Sequence, residues 1–229
     1  VRLIDVSHKP IERFTKKGIV ANDIEYEFDS VVCATGFAAM TGSFDKIQIT
    51  GRDGLTLKEK WRAGPRTYLG LASNGFPNLF MITGPGSPSV LASMIQAIEQ
   101  HVDWIADCIG HMKDVGASTI EATVRDENDW VDHVNEVSQV SLRSTCSSWY
   151  VGANIPGRPR VFMPYIGGFP IYVDKCNSIM MGGYEGFVMA GSEKPTAPPQ
   201  VRCTERWHVE LDMEVISPAA IAAKQVPIV

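Results

Sequence analysis

The stretch LFMITGPGSPSVLASMIQAIEQHVDWIADCIG, residues 79–110, carries the reading of the fold. Leu79–Thr83 is a short apolar run stopped by Gly84-Pro85-Gly86. A run of that length suits a parallel strand covered on both faces. Ser87 or Ser89 can cap a helix after the turn, and Pro88 is tolerated in a first helical turn. Leu91, Met94, Ile95, Ile98, Val102, Ile105 and Ile109 then recur at steps of three and four. That spacing predicts one face of an α-helix turned toward a core. A buried strand, a glycine turn and an amphipathic helix together predict an α/β fold.

Working outward, Ser30–Ala34 (SVVCA) is a second buried-strand candidate, ending at Thr35-Gly36. Before it, Ile11–Phe14, Ile19–Val20 and Ile24–Phe28 are short β-like runs. Lys16-Lys17-Gly18 and Asn22-Asp23 separate them, which predicts a β-meander. Downstream, Glu127–Leu142 reads as a helix capped by Asp126, with Trp130, Val134 and Val137 inward. Ser147–Pro170 is rich in Gly, Pro and aromatics without a clean period, and reads as an ordered loop plus a short strand at Arg160–Met163. Asp174–Gly191 reads as helical, ending at Gly182-Gly183 or a little later. KPTAPPQ then opens a linker-like tail over 191–229.

Composition sets the outer limits. The chain has 229 residues, 45% hydrophobic and 21% charged, enough to bury a core and against global disorder. Lys and Arg number 21 against 26 Asp and Glu, and no basic block occurs, which argues against nucleic-acid binding. No apolar run reaches the roughly 18–20 residues of a membrane span. No signal peptide is read at the start, and Val1 in place of Met predicts a processed, cut or incomplete N-terminus. The 5 cysteines are odd in number and widely spaced without CxxC, so a disulfide framework or zinc site is not expected and a reducing cytoplasm is. The 5 histidines are scattered, and no metal is expected.

Three places can carry chemistry. CATGF, Cys33–Phe37, ends a strand candidate in small residues that let a flat ligand approach, or is a tight strand exit. GPGSPS, Gly84–Ser89, lies where a helix N-terminus would offer unpaired N–H groups to an anion, or is an ordinary βα turn. Trp149 and Tyr150, flanked by Gly152, Pro156 and Gly157, can form an aromatic lid, or a structural loop with a buried Trp. Arg158 and Arg160 beside them can meet a phosphate. No GxGxxG, GxxxxGK[ST] or GxSxG occurs. Met180, Met181 and Met189 read as core filling, and Asp126-Glu127-Asp129 as a solvated helix start.

Three segments together resemble Baeyer–Villiger monooxygenases of the phenylacetone and cyclohexanone type. They are VVCATGF, KEKWRAGPRTYLGLASNGFPNLFMITGPGSPSVLASMIQAIEQHVDWI and SSWYVGANIPGRPRVFMPYIGGF. ATGF is shared among many flavoprotein oxidoreductases, whereas GPGSPS with WYVGANIPGRPR is far more specific. The resemblance runs from about Val1 to Val188. It implies the C-terminal part of a flavoprotein with two dinucleotide-binding domains, for FAD and NAD(P), plus a helical C-terminal lobe, hence an incomplete fold. Residues 1–29 would end the NADPH-binding domain. Residues 30–190 would be the returning part of the FAD-binding domain with the lobe and an NADP-covering loop; the tail 191–229, expected to be flexible from its composition, matches nothing in the family.

The resemblance also implies FAD and NADPH as cofactors, and insertion of one oxygen of O₂ beside a ketone carbonyl through a C4a-peroxyflavin, giving an ester or lactone. Thr35 and Gly36 would lie against FAD. Gly84, Pro85, Ser89 and the helix start would face its ring, with the helix dipole favouring negative charge there. Ser89, Val90, Leu91 and Met94 would line the substrate pocket, Met94 also touching cofactor. Trp149 and Asn154 would belong to a mobile loop over NADP. The family's peroxyflavin-holding arginine would lie before Val1, so no catalytic residue is assigned. The family's two GxGxxG loops and its FxGxxxHxxxWP signature are absent from these residues, and Ala38 stands where the family carries Asp. A non-catalytic orphan fragment and a nitrogen- or sulfur-oxidising flavin monooxygenase are the alternatives. The Trp149 loop favours the Baeyer–Villiger branch over the latter. An isolated chain is expected to be poorly stable, its strand candidates lacking sheet neighbours.

Overall fold

Asn22 and Asp23 both take positive φ, 53° and 61°, the two-residue turn that matches the twist of antiparallel strands. They join β2 (Gly18–Ala21) to β3 (Ile24–Glu27), and β1 (Arg13–Phe14) pairs on the other edge of β2. Thr15 Oγ1 accepts from the amides of Lys17 and Gly18 at 3.1 and 3.0 Å, fixing the first reversal. The expected meander is therefore present. The computed structural model describes residues 1–34, 36, 38–89, 91–153, 155 and 157–191. The chain divides into two compact units, Val1–Phe37 and the remainder from Ala38.

In the second unit a short helix, α1 (Leu57–Lys60), is closed by a Thr56–Glu59 capping box. The long helix α2 (Met94–Val115) ends at Gly116, whose φ of 72° and ψ of 19° are left-handed. β4 (Thr119–Ala122) leads into α3 (Val124–Ser138). Helix α4 (Phe169–Met181) comes after Gly168, with Pro170 in its first turn, and β5 (Phe187–Ala190) returns antiparallel to β4. The main core joins Trp104, Cys108 and Met112 of α2 to Trp130 and Val134 of α3 and Tyr172 and Cys176 of α4. A second cluster gathers Leu57, Trp61, Phe76 and Met81.

Several expectations are corrected. Ser30–Ala34 is not a strand, and Val32 is exposed. Leu79–Thr83 is not a strand either. Only its Met81 amide reaches a neighbouring run, bonding Leu71 O at 2.8 Å, while Ile82 is exposed. Both runs have strand composition, but a parallel strand needs bonded neighbours, and none among the described residues pairs with them in a sheet. Arg160–Met163, read as a short strand, is not one.

Helix α2 begins at Met94, several residues after either expected serine cap, with Ser93 as N-cap making no side-chain capping bond. Its apolar stripe is also not its buried face: Ile95, Ile98, Val102 and Ile109 are exposed, and Ala97, His101, Trp104, Cys108 and Met112 are inside. Helix α3 is capped by Thr123, with the Asp126 amide donating to its Oγ1 at 3.1 Å, so Asp126 serves in the first turn rather than as the cap. The last helix starts before Asp174 and stops at Gly182-Gly183. Val188 and Met189 then pair in β5 instead of continuing it.

Met180 fills core as expected, but Met181 is exposed. Glu127 is not solvated: it lies buried, bound by Lys60 Nζ at 2.8 and 2.9 Å, by Ser73 Oγ at 3.0 Å and by the Asn74 amide at 2.8 Å. That set of donors is what a buried carboxylate requires. No helix among the described residues is long and apolar enough to cross a membrane.

Candidate functional site

The Gly84-Pro85-Gly86 turn has little regular structure of its own and is held almost wholly by its neighbours. Thr67 Oγ1 donates to Pro85 O at 2.5 Å. Trp130 Nε1, from α3, donates to Gly86 O at 3.0 Å. The Gly86 amide donates to Met163 O at 2.6 Å, and the Tyr165 amide donates to Ser87 O at 2.9 Å. Ser87 Oγ closes the turn on Gly84 O at 2.7 Å. Gly86 has φ 85°, and a Cβ there would lie 2.9 Å from Thr67 Oγ1 and 3.2 Å from Trp130 Nε1. Both the left-handed conformation and these two donors therefore call for glycine.

At the entrance to the turn, Thr83 also has positive φ, 54°, an uncommon state for a β-branched residue. Its amide donates to His101 Nδ1 at 3.0 Å, and His101 Nε2 lies 3.0 Å from the Tyr172 hydroxyl. Tyr172 in turn donates to Leu69 O at 2.8 Å. Tyr172 has one proton and gives it to Leu69, so His101 must donate from Nε2 and accept at Nδ1. The imidazole is thus neutral, with its tautomer fixed. Burial pushes its pKa down to about 4, in keeping with that assignment. Burial also drives the Tyr172 hydroxyl well above its usual value, so it stays a donor.

The aromatic loop is tied to the same place. The Met163 amide bonds Tyr150 O at 2.8 Å and the Val161 amide bonds Val151 O at 3.2 Å. The 161–165 segment thus bridges the Trp149 region and the turn. Trp149 and Tyr150 are half-buried, their ring centroids 4.4 Å apart. Arg158 is paired with Asp45 and Thr41, and Arg160 donates to Cys146 O at 3.0 Å. Both guanidinium groups expected to meet a phosphate therefore already have protein partners. A cavity of about 340 Å³ opens beside Trp61, Arg158, Val161 and Met163.

Among the residues singled out in the sequence, Gly84, Pro85 and Ser89 are buried in and just after the turn, and Leu91 and Met94 are exposed beyond it. Ser89 Oγ is buried without a hydrogen-bond partner among the described residues. Gly36 lies in the first unit with φ 75°. Thr35, Val90, Asn154 and the tail 192–229 lie outside the described residues. Because α2 starts at Met94, the turn and the helix N-terminus are separate features along the chain. His101, Trp130, Thr67 and Tyr172 were missed as holders of the turn. Nothing along the chain singled out His101, because the apolar stripe of α2 is not its buried face.

No family model matches the chain. Individual relatives do. The acetone monooxygenase (methyl acetate-forming) of Gordonia sp. (strain TY-5) is 38% identical over 192 residues, covering 83% of this chain and 36% of that protein. A Baeyer–Villiger monooxygenase of Pseudooceanicola batsensis is 38% identical over 189 residues, covering 82% and 34%. The solved structure of an oxidized steroid monooxygenase bound to NADP is 48% identical with a TM-score of 0.73, covering 83% of this chain and 36% of that one. The chain spans about a third of the length of the curated relatives it matches. In sequence and in fold, the chain is similar to a portion of Baeyer–Villiger-type monooxygenases.

Proposed function

We propose that the chain is the C-terminal part of an FAD- and NADPH-dependent enzyme that inserts one oxygen of O₂ next to a ketone carbonyl, giving an ester or lactone. The observation that carries this is the clamped turn of the GPGSPS motif, within a match to such enzymes over more than four-fifths of the chain. Residues 1–29 would close the NADPH-binding domain, 30–190 would return to the FAD-binding domain with its helical lobe, and 191–229 would be a tail. The remaining FAD- and NADPH-binding portion would pack on the exposed stripe Ile95, Ile98, Val102 and Ile109. An apolar stripe of this kind is what a further layer of a fold covers.

The residues present fit a flavin on one observation, the orphaned buried hydroxyl of Ser89 directly after the turn, suited to a polar ring edge. Thr35 and Gly36 would lie against FAD, and Gly84, Pro85, Ser89 and Met94 would face its ring. Bound FAD would supply the electron and oxygen chemistry. This chain's residues would hold the turn in place and shape the substrate pocket at Ser89, Val90, Leu91 and Met94. Trp149 and Asn154 would cover NADP and keep water out. The cytoplasm is the compartment that suits this reading.

The test is to express the chain together with the missing two-thirds of the steroid monooxygenase relative. A yellow complex that consumes NADPH with a ketone and releases an ester or lactone, identified by mass spectrometry, is expected. A flavin complex that oxidises amines or sulfides but no ketone would move the reading to the nitrogen- and sulfur-oxidising branch. Failure to retain flavin would leave the orphan fragment.

A further inference from the structure

The proposed reaction leaves one buried group with no part, although both of its ring nitrogens are engaged. His101 sits on α2, fully enclosed and uncharged. Its two ring nitrogens join three segments that are distant in sequence. Nδ1 takes the amide proton of Thr83, and Nε2 gives its proton to Tyr172 of α4. Tyr172 then donates to Leu69 O in the loop that also supplies Thr67 to the turn. The chain of donors runs in one direction only, from the Thr83 amide through the imidazole and the phenol to a carbonyl.

Thr83 is the residue from which the turn departs, and its left-handed φ of 54° sets that departure. The other bonds on the turn are made at Gly84 O, Pro85 O, Gly86 O, Ser87 O and the amides of Gly86 and Ser87, all after that point. Thr83 is thus the upstream anchor, and its amide rests on the imidazole.

We propose that His101 is a positioning residue for the Gly84–Ser89 turn. Its Nδ1 holds Thr83 in the conformation that aims the turn, and Tyr172 keeps Nδ1 free to accept by fixing the proton on Nε2. The proposal rests on the monooxygenase function only for what the turn faces; the clamp itself is a property of this chain. Because the anchor is a side chain on a rigid helix, the turn is preorganised before anything binds to it.

Two replacements separate positioning from mere space filling. In His101→Asn the amide oxygen falls near the place of Nδ1 and can still accept from Thr83. In His101→Gln the longer side chain reaches the place of Nε2 and answers Tyr172, leaving Thr83 without its acceptor. Hydrogen exchange of the 229-residue chain, followed by mass spectrometry, reads peptides over 80–90 and, as an internal control, over α3.

His101→Gln is expected to speed exchange at Thr83–Gly86 about tenfold, the scale of one lost hydrogen bond, with α3 unchanged. His101→Asn is expected to stay within about twofold of the parent. Equal effects of the two variants, or no effect of either, would overturn the proposal. If both His101 variants fail to fold, Tyr172→Phe keeps the volume and removes only the hydroxyl. It must then speed exchange at Thr83 with α3 unchanged, or the proposal falls. In the reconstituted flavoprotein, His101→Gln but not His101→Asn should shift the visible flavin spectrum. A complex that holds no flavin would sink the functional reading and leave the exchange result standing.

Discussion

The two stripes of α2 differ in a way that reverses the usual surface rule. The inward stripe carries Gln100, His101, Trp104, Asp107, Cys108 and Met112, all buried. The outward stripe carries Ile95, Ile98, Val102 and Ile109, exposed by 71%, 40%, 44% and 40%. At about 100° per residue the two lie roughly a third of a turn apart. Two of the inward groups have partners that let them be inside: His101 has Thr83 and Tyr172, and Trp104 Nε1 donates to Cys176 O at 3.0 Å, whereas Gln100 Oε1 has none among the described residues. The outward isoleucines and valine are apolar enough for a core, yet no described element packs over them. Burial therefore follows available partners and not hydropathy alone.

The largest effect that can break this comparison is on the inward side. Trp104→Ala should cost about 3–5 kcal/mol, removing a core ring and leaving the Cys176 carbonyl without this donor. Chemical denaturation with an unchanged m-value would measure it. If the loss were under about 1 kcal/mol, Trp104 would not be a true interior residue.

Next comes pH. His101 has a folded pKa of about 4 against an ordinary 6.5, so the unfolded chain binds the proton more readily. Its contribution is fully present above pH 6.5 and is lost as pH falls from 6.5 toward 4. The loss amounts to about 3 kcal/mol over that window. The parent should show this acid slope between those limits, and His101→Asn should flatten it. A parent and variant with parallel pH profiles would remove His101 from the buried, neutral set.

A smaller change is expected at the end of the helix. A Cβ on Gly116 meets nothing within 4 Å, so the cost of Gly116→Ala comes only from its positive φ of 72°. About 1 kcal/mol is expected, read as a lowered thermal midpoint. A stabilising effect would mean the helix end relaxes to right-handed backbone.

The smallest effect should be on the outward side. Ile98→Gln should change the stability of the isolated chain by no more than about 0.5 kcal/mol. On the proposed function, the same change should weaken assembly with the co-expressed portion of the relative, measured by gel filtration of the pair. A large loss of stability in the chain alone would show that the outward stripe is covered after all.

Legibility in the sequence divides along the same line. The meander followed from local turn chemistry: Asn and Asp tolerate the positive φ of a tight turn, as at Asn22 and Asp23. The existence of α2 and α3 followed from periodicity, and the inward set Trp130 and Val134 came with it. The GPGSPS and WYVGANIPGRPR segments pointed to the family, and relatives bear that out. Glu127 shows the opposite case. Its acidic neighbours read as solvated, but Lys60, Ser73 and Asn74 arrive from sequence positions far away. Nothing local announces such a set of donors.

The sequence by itself determined that α2, α3 and the last helix exist, the first hairpins, the turn motif and the likeness to known monooxygenases, because each depends on neighbours along the chain or on a motif intact in one stretch. Only the tertiary structure decided which side of α2 is inside, that Leu79–Thr83 is held without a sheet, and that the turn hangs from His101, Thr67 and Trp130. Those depend on which distant groups meet. A strand without a bonded edge and a helix face without a covering layer keep their composition but not their expected role.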